Sequence, residues 1–370
     1  MSSSRRQLLR STIAMSGAAA VPPLLASGEA AAAGSTAERA APVPGTGAHV
    51  VLLGTAAGPV PMAGRRGVAS ALVVDGRVYL VDMGHGAFDQ FQRSGLDIAA
   101  LASVFVTHLH SDHLADLYTL LWLRFGGVDP LTDPLHIHGP GPAGVLPAPS
   151  SGSTVATVEP DRPTPGLSDF ISNSMAATAY DINLRMRDEG WPDIRTMVKV
   201  HEIAVPDVGA SPTGAMAPPM DPFEVHSDDQ VTVSAILVEH PPVFPSFAYR
   251  FDTRYGSVVF SGDTTITGNM VTLAQDADML VHEVIDLEAV RRIGDLTPQQ
   301  LQHHENSHTD VTRIGIEIAQ PANVGSLVLS HLAPGTKAIP DASWKAKARK
   351  GFDGTVIVGN DLQRLVLSRR

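Results

Sequence analysis

The stretch Thr107-His108-Leu109-His110-Ser111-Asp112-His113 places three imidazoles and one carboxylate within six residues, directly after the apolar run 104–106. Side chains of these types, fanned out by a turn at a strand end, can hold a metal ion. Three more residues of ligating type close apolar runs: His240 after 232–239, Asp263 after 258–262 and His331 after 327–330. A lone histidine at a strand end is more often a satisfied core or surface group, and a histidine-rich turn can simply be solvated. Four strand ends carrying the same residue types point instead to one metal site at the sheet edge where such sites collect. No cysteine occurs among the 370 residues, which excludes disulfides, thiolate zinc sites, iron–sulfur clusters and a cysteine nucleophile. Any metal is therefore held by nitrogen and oxygen, a set that suits zinc, iron or manganese, with zinc the default for hydrolysis.

Positioning these groups falls to short apolar segments separated by Gly, Pro and Asp turns. Residues 49–54 read as a buried strand, 69–74 and 77–81 as a hairpin around Asp75-Gly76, and 104–107 as another buried strand. The spacing of Leu114, Leu117, Leu121 and Trp122 predicts a helix over 112–124. Further strands are expected at 230–239, 248–251, 257–261, 279–282 and 327–330, and helices at 267–275 and 309–319. Strand runs followed by helices imply layers of sheet with helices outside. The segment 147–222 differs, with Ser/Thr/Pro/Gly-rich loops, a helical stretch at 169–187 and a Pro/Gly/Met-rich loop at 206–222. It is expected to be an inserted cap or loop segment in which substrate selection resides. Arg185, Arg187 and Arg195 alternate with acidic residues and read as a solvated helix face.

Residues 107–113 match the HxHxDH signature of the metallo-β-lactamase fold, and the downstream order is similar to the ribonuclease Z and arylsulfatase-like branch of that fold. The matching pieces are His240-Pro-Pro-Val-Phe-Pro-Ser-Phe-Ala-Tyr-Arg250, Phe260-Ser-Gly-Asp263-Thr264, Leu280-Val-His282-Glu283, Ser307-His308-Thr309 and Leu329-Ser-His331-Leu332, with Leu52-Leu-Gly-Thr55 and residues 79–84 upstream. The resemblance spans residues 48–140 and 225–335, and it implies an α/β fold, a four-layer αββα sandwich, over residues 34–370. It also implies two divalent metal ions, Zn2+ first, one held by His108, His110 and His240 and the other by Asp112, His113 and His331, with Asp263 between them. A carboxylate shared by two cations offsets their repulsion, and the nucleophile implied is a hydroxide bridging them, oriented by Asp112. The catalytic residues that follow are Asp112, His308 as the acid that protonates the leaving oxygen, and Glu283 as the carboxylate that orients His308. His303, His304 and Glu305 crowd the same stretch. Asp82 is expected to order a ligand histidine and His282 to be structural, while His85 and His138 read as loop residues.

Lys and Arg total 27 against 38 Asp and Glu, a formal charge of −11 that argues against gripping a nucleic-acid backbone by bulk electrostatics. The chain opens with Arg5-Arg6-Gln7-Leu8-Leu9, a short apolar run containing Gly17, Pro22 and Pro23, and four alanines at 30–33. Residues 1–33 thus resemble a twin-arginine signal peptide. Their removal takes away three Arg and one Glu and leaves −13. The 127-residue step from His113 to His240 exceeds that expected of a compact bacterial ribonuclease Z, and no Lys/Arg-rich arm is present. The expectation is an exported, periplasmic or extracellular hydrolase of a small-molecule anionic ester, a phosphodiester or sulfate ester, with no nucleic-acid partner and no membrane partner. The twin-arginine export machinery is expected to carry it, and a homodimer is a compatible assembly. A lactonase or β-lactamase-like hydrolase is the alternative. An iron redox protein of the same fold ranks lower, because diiron relatives replace the second histidine of the signature by Glu and His110 stands there.

Overall fold

Apolar side chains in unbroken runs, rather than in alternation, mark strands covered on both faces. In β1 (Ala48–Gly54), Val50 and Leu52 enter one core while Val51 and Leu53 enter another, and all four are fully buried. The computed structural model describes residues 40–150, 152–293 and 296–369 and is set out here for those residues. The signal peptide expected over 1–33 lies outside the described residues.

The first sheet takes β1, β2 (Ala69–Val74), β3 (Arg77–Val81), β4 (Leu101–Phe105), β5 (Leu135–Pro140) and β6 (Val198–Ile203) in chain order. The second takes β7 (Phe223–Ser227), β8 (Val231–Leu237), β9 (Phe247–Thr253), β10 (Gly256–Phe260), β11 (Met279–Ile285), β12 (Ser326–Ala333) and β13 (Thr355–Val358), and β14 (Gln363–Leu367) returns to pair with β1. Each sheet has an antiparallel half and a parallel half, the parallel pairs running from β3 to β6 and from β10 to β13. The β2–β3 hairpin turns on Asp75 (φ 47°) and Gly76 (φ 86°), the pair of left-handed residues that a two-residue turn between twisted strands requires.

Leu52, Phe105, Tyr249, Phe251 and Val281 fill the space between the sheets. Phe88, Phe91, Leu117 and Leu121 cover the outer face of the first sheet, and Met270, Leu273, Ile314 and Trp344 that of the second. The result is the four-layer αββα sandwich that the resemblance implied. Within 147–222, β6 forms the edge of the first sheet, and the helix Leu167–Ala177 buries Leu167 and Ile171 in the core that holds Ile137. No helix among the described residues is long and apolar enough to cross a membrane.

Two helices differ from the expected ones. The helix over 112–124 is split into Ser111–Leu114 and Leu117–Arg124, because the Asp116 amide donates to Met83 O and its carboxylate accepts from the Phe88 amide. Over 309–319 only Gly315–Ala319 is helical, since Asp310 bridges to Ile285 and the Val311 amide donates to Ile285 O, drawing that end onto β11. The strands β5, β6 and β7 escape the apolar-run criterion because histidine, lysine and glutamate alternate with their apolar residues.

Phe105 joins the layers, with ring centroids 5.1 Å from Phe251 and 5.5 Å from Tyr249. Phe105→Ala should lower stability by about 3–5 kcal/mol in denaturant unfolding. A loss below about 1 kcal/mol would show that the inter-sheet core closes without it.

Candidate metal centre

The site is built where β3 and β4 end side by side. Asp82, the first residue after β3, sits in the left-handed region at φ 59°. Its Oδ1 accepts from the Thr107 amide at 2.8 Å, and its Oδ2 accepts from Thr107 Oγ1 at 2.9 Å and from His113 Nδ1 at 2.8 Å. A proton held on Nδ1 of His113 leaves Nε2 to face the site. The turn after β4 carries His108 and His110, and the short helix Ser111–Leu114 carries Asp112 and His113.

Two strand ends and a bulge of the second sheet complete the ring of donors, His331 lying within β12 and not after it as the sequence suggested. His240 follows β8 and donates from Nδ1 to Ser307 O at 2.8 Å, which turns Nε2 toward His110 Nδ1, 3.4 Å away. Asp263 follows β10 behind Gly262, whose φ is 58° and where an added Cβ would lie 2.8 Å from Thr107 Cβ. His331 occupies the bulge in β12: Ser330 pairs with Glu283 and Leu332 with Val284, so His331 is left out of the ladder at φ 41°.

These side chains converge on Asp263. Its Oδ2 lies 3.3 Å from His331 Nε2 and 3.9 Å from both His108 Nε2 and His240 Nε2, while Oδ1 lies 3.4 Å from His113 Nε2. Asp112 Oδ2 is 3.4 Å from His331 Nε2 and 3.7 Å from His113 Nε2. Two groups result, His108, His110, His240 and Asp263 in one and Asp112, His113, Asp263 and His331 in the other, each with its ligand atoms within 4.8 Å of one another. Among the described residues, His108 Nε2, His113 Nε2 and Asp263 Oδ1 are buried with no hydrogen-bond partner. Buried polar atoms left unsatisfied are costly, and nitrogen and carboxylate donors in these numbers fit a divalent cation in each group.

The electrostatics agree. Burial holds the pKa of His108 well below the ordinary histidine value, and it also lowers that of His110. For His240 burial outweighs the opposing pull of Asp263 and brings the pKa to about 3. These three imidazoles are neutral, the state a metal ligand needs. Burial also acts to lower His113, but Asp263 and Asp82 prevail and hold it well above the ordinary value. Burial would raise Asp263, yet His331, His113 and His108 hold it well below the usual carboxylate range. Positive charge is therefore demanded between Asp82 and Asp263, and a cation supplies it as well as a proton does.

His308 and Glu283 stand beside this ring. Glu283 Oε1 accepts from the Thr264 amide at 3.2 Å, the Thr309 amide at 3.0 Å and His308 Nδ1 at 3.1 Å. Burial works to lower the His308 pKa, but Glu283 and then Asp263 raise it to about 9. His303 Nδ1 lies 3.3 Å from Ser307 Oγ, and His282 donates from Nδ1 to Glu283 O. His85 is exposed, while His138, read from the sequence as a loop residue, is instead buried on β5 and lies in a separate group with His136 and His201. Arg185 pairs with Asp181 and Glu189, and Arg195 with Asp193.

Gly58 was not singled out from the sequence, although its amide donates to Asp112 Oδ2 at 3.0 Å and an added Cβ would fall 2.2 Å from Asp112 Cβ. A glycine before Pro59 reads as an ordinary turn, and only the folded chain brings it to Asp112. Gly58→Ala should displace that carboxylate and weaken Zn2+ binding by about 10–100-fold with the circular dichroism spectrum retained. Unchanged metal affinity would show that Asp112 is not held from this side.

The metallo-beta-lactamase superfamily model matches residues 63–121, the stretch that ends just past His113. Ribonuclease Z of Mycobacterium sp. strain KMS is 32% identical over 321 residues, covering 86% of this chain and 95% of the relative. Ribonuclease Z of Mycobacterium bovis BCG Pasteur is 29% identical over 325 residues, covering 87% of this chain and 99% of the relative. The crystal structure of human tRNase Z, short form, superposes with a TM-score of 0.57 at 21% identity, covering 86% of this chain and 99% of that one. These relatives overturn the expectation of a small-molecule substrate and no nucleic-acid partner, because they are named for cleaving RNA. That expectation rested on the long step from His113 to His240, the missing Lys/Arg-rich arm, the export signal and net charge; the last is a sum over the whole surface, whereas a substrate is held by the local field of a site. With 32% identity over 95% of a ribonuclease Z, the chain belongs to the ribonuclease Z family of the metallo-β-lactamase superfamily and is a metal-dependent hydrolase of ester bonds.

Proposed function

We propose that the chain hydrolyses phosphodiester bonds in RNA, with transfer RNA the first substrate to test, at a site holding two divalent ions, Zn2+ first. His108, His110 and His240 would hold one ion, Asp112, His113 and His331 the other, and Asp263 both. The observation that carries this reading is the single buried carboxylate of Asp263 shared by two groups of nitrogen and oxygen donors. The names of the relatives support RNA as the substrate. Nothing in the geometry of the site favours a sulfate ester or a lactone.

Two bound divalent ions would supply Lewis acidity toward the phosphate and lower the pKa of water at the site. Asp112 has its carboxyl held below the usual range by His331 and His113 against burial, so it stays ionised and can accept a hydrogen bond from the attacking water. That water gives up a proton past Asp112 to solvent as its oxygen forms the bond to phosphorus, and as the ester P–O bond breaks the leaving oxygen takes up a proton in turn. His308 would give it. Glu283 holds its Nδ1 and keeps the ring protonated at neutral pH, which leaves Nε2 as the donor. Residues 1–33 we read as an export address, on the strength of Arg5-Arg6 and the apolar run behind them, so the RNA this chain meets in the cell would lie outside the cytoplasm and transfer RNA serves as the assay substrate.

Asp263→Ala should lose the zinc of the Asp263 centre and RNA hydrolysis together, measured as a fall in metal per chain and in a cleavage assay on transfer RNA precursors. Chelation should abolish activity and Zn2+ restore it, and activity surviving full removal of metal would end the metal-hydrolase reading. His308→Ala should keep its metal while kcat on RNA falls by about 10²–10⁴-fold, with a smaller loss on an activated aryl phosphodiester whose leaving group needs no acid. Equal losses on both substrates would remove His308 from the role of proton donor. Cell fractionation should recover the chain outside the cytoplasm without residues 1–33. Recovery of the uncut chain in the cytoplasm would refute export.

A further inference from the structure

Histidines also gather apart from Asp263, at the edge of the sandwich. β5 supplies His136 and His138, β6 supplies His201 and β7 supplies His226. Strand alternation explains how they come together: Leu135 and Ile137 enter the core beneath the helices, which sends the alternating His136 and His138 to the opposite face. The parallel register sets His201 directly beside His138. The His138 and His201 rings stack with centroids 4.6 Å apart and planes within 13°, and His226 meets His138 edge-on at 5.0 Å.

One ligand nitrogen from each of His136, His138 and His201 lies within 4.8 Å of the others. His138 is only 4% exposed, stacks on Phe105 at 4.7 Å, and has a buried Nε2 with no hydrogen-bond partner among the described residues. His201 is exposed, which gives an ion a way in from solvent. Burial, then the neighbouring imidazoles, lowers the pKa of His136, His138 and His201, that of His138 to about 3, so their lone pairs are free at neutral pH. Lys199 adds to the effect at His136 and His201, and no carboxylate belongs to the group.

We propose that His136, His138 and His201 form a further metal site, separate from the Asp263 centre, that takes one divalent first-row transition ion such as Zn2+ on three imidazole nitrogens. Neutral nitrogen donors without carboxylate suit zinc, nickel or copper and not the oxygen-seeking Mg2+ or Ca2+. His136 Nδ1 and His201 Nε2 stand 2.9 Å apart, the spacing of an N–H···N hydrogen bond. Two nitrogens on a tetrahedral zinc, each at 2.0–2.1 Å, stand about 3.3 Å apart. An ion therefore displaces the shared proton, and because it lies in the plane of each imidazole it binds, the exposed His201 ring turns out of its stack on His138 as it enters.

The test compares the full chain with the double variant His136→Ala/His201→Ala, both stripped by chelator, reloaded with Zn2+ and analysed for metal per chain. The expected result is one equivalent less in the variant, with hydrolytic activity and circular dichroism unchanged. Should the double variant fail to fold, His201→Ala alone, at an exposed position, gives the same comparison. In an Asp263→Ala background one equivalent should remain and should disappear when His136 and His201 are also replaced. Equal zinc content in the full chain and the variant would overturn the proposal and leave a hydrogen-bonded imidazole pair only. This readout is a difference in metal content, so it stands or falls independently of whether RNA is the substrate.

Discussion

An ionised carboxylate withdrawn from water is tolerated only among opposite charge or strong donors, and Asp263 is such a group, fully enclosed in the sandwich. Much of the architecture answers this constraint. The ends of β4, β8 and β10 and the bulge of β12 must arrive within a few ångströms of one carboxylate, so the two sheets have to face each other at those ends. The bulge at His331 and the left-handed backbone at Asp82 and Gly262 are local departures from regular structure that this convergence requires. They sit around the site.

Much of the convergence could be read from residues alone because its donors close apolar runs, and a strand buried on both faces leaves that mark in any sequence. The β2–β3 hairpin was equally plain, since Asp75-Gly76 can be little else between two apolar strands. What could not be read depends on contacts between distant segments. The helix over 112–124 breaks at Asp116 because that residue bonds to Met83 and Phe88, and Asp310 is drawn onto β11 instead of opening a helix. Gly58 and Ser307 reach the site through backbone atoms, and the need for glycine at 58 shows only once Asp112 is packed against it. The group of His136, His138 and His201 was invisible for another reason: its members are scattered over 65 positions and lie on strands whose polar alternation hides them.

Composition misled on one point. A net charge of −11 describes a far field, and it led away from nucleic acid although the chain's relatives are ribonucleases. The site itself inverts that sign. Acidic side chains buried at Asp263 and Asp112 become the reason cations are held there, so carboxylates that count against a polyanion in the total serve it at the centre. For a family whose chemistry rests on bound cations, the charge of the bare chain is a poor guide to its partner.

The hydrogen bond from His240 to the carbonyl of Ser307 joins parts of the molecule that otherwise have separate duties. Ser307 is the last residue of the helix Pro298–Ser307, and the next residue is His308. One end of that helix therefore sets the tilt of a ring in the metal group and, one peptide later, the position of the ring held by Glu283. Lengthening or shortening the helix by a single residue would rotate both out of place at once. The placement of the two rings is thus mechanically linked through one helix end.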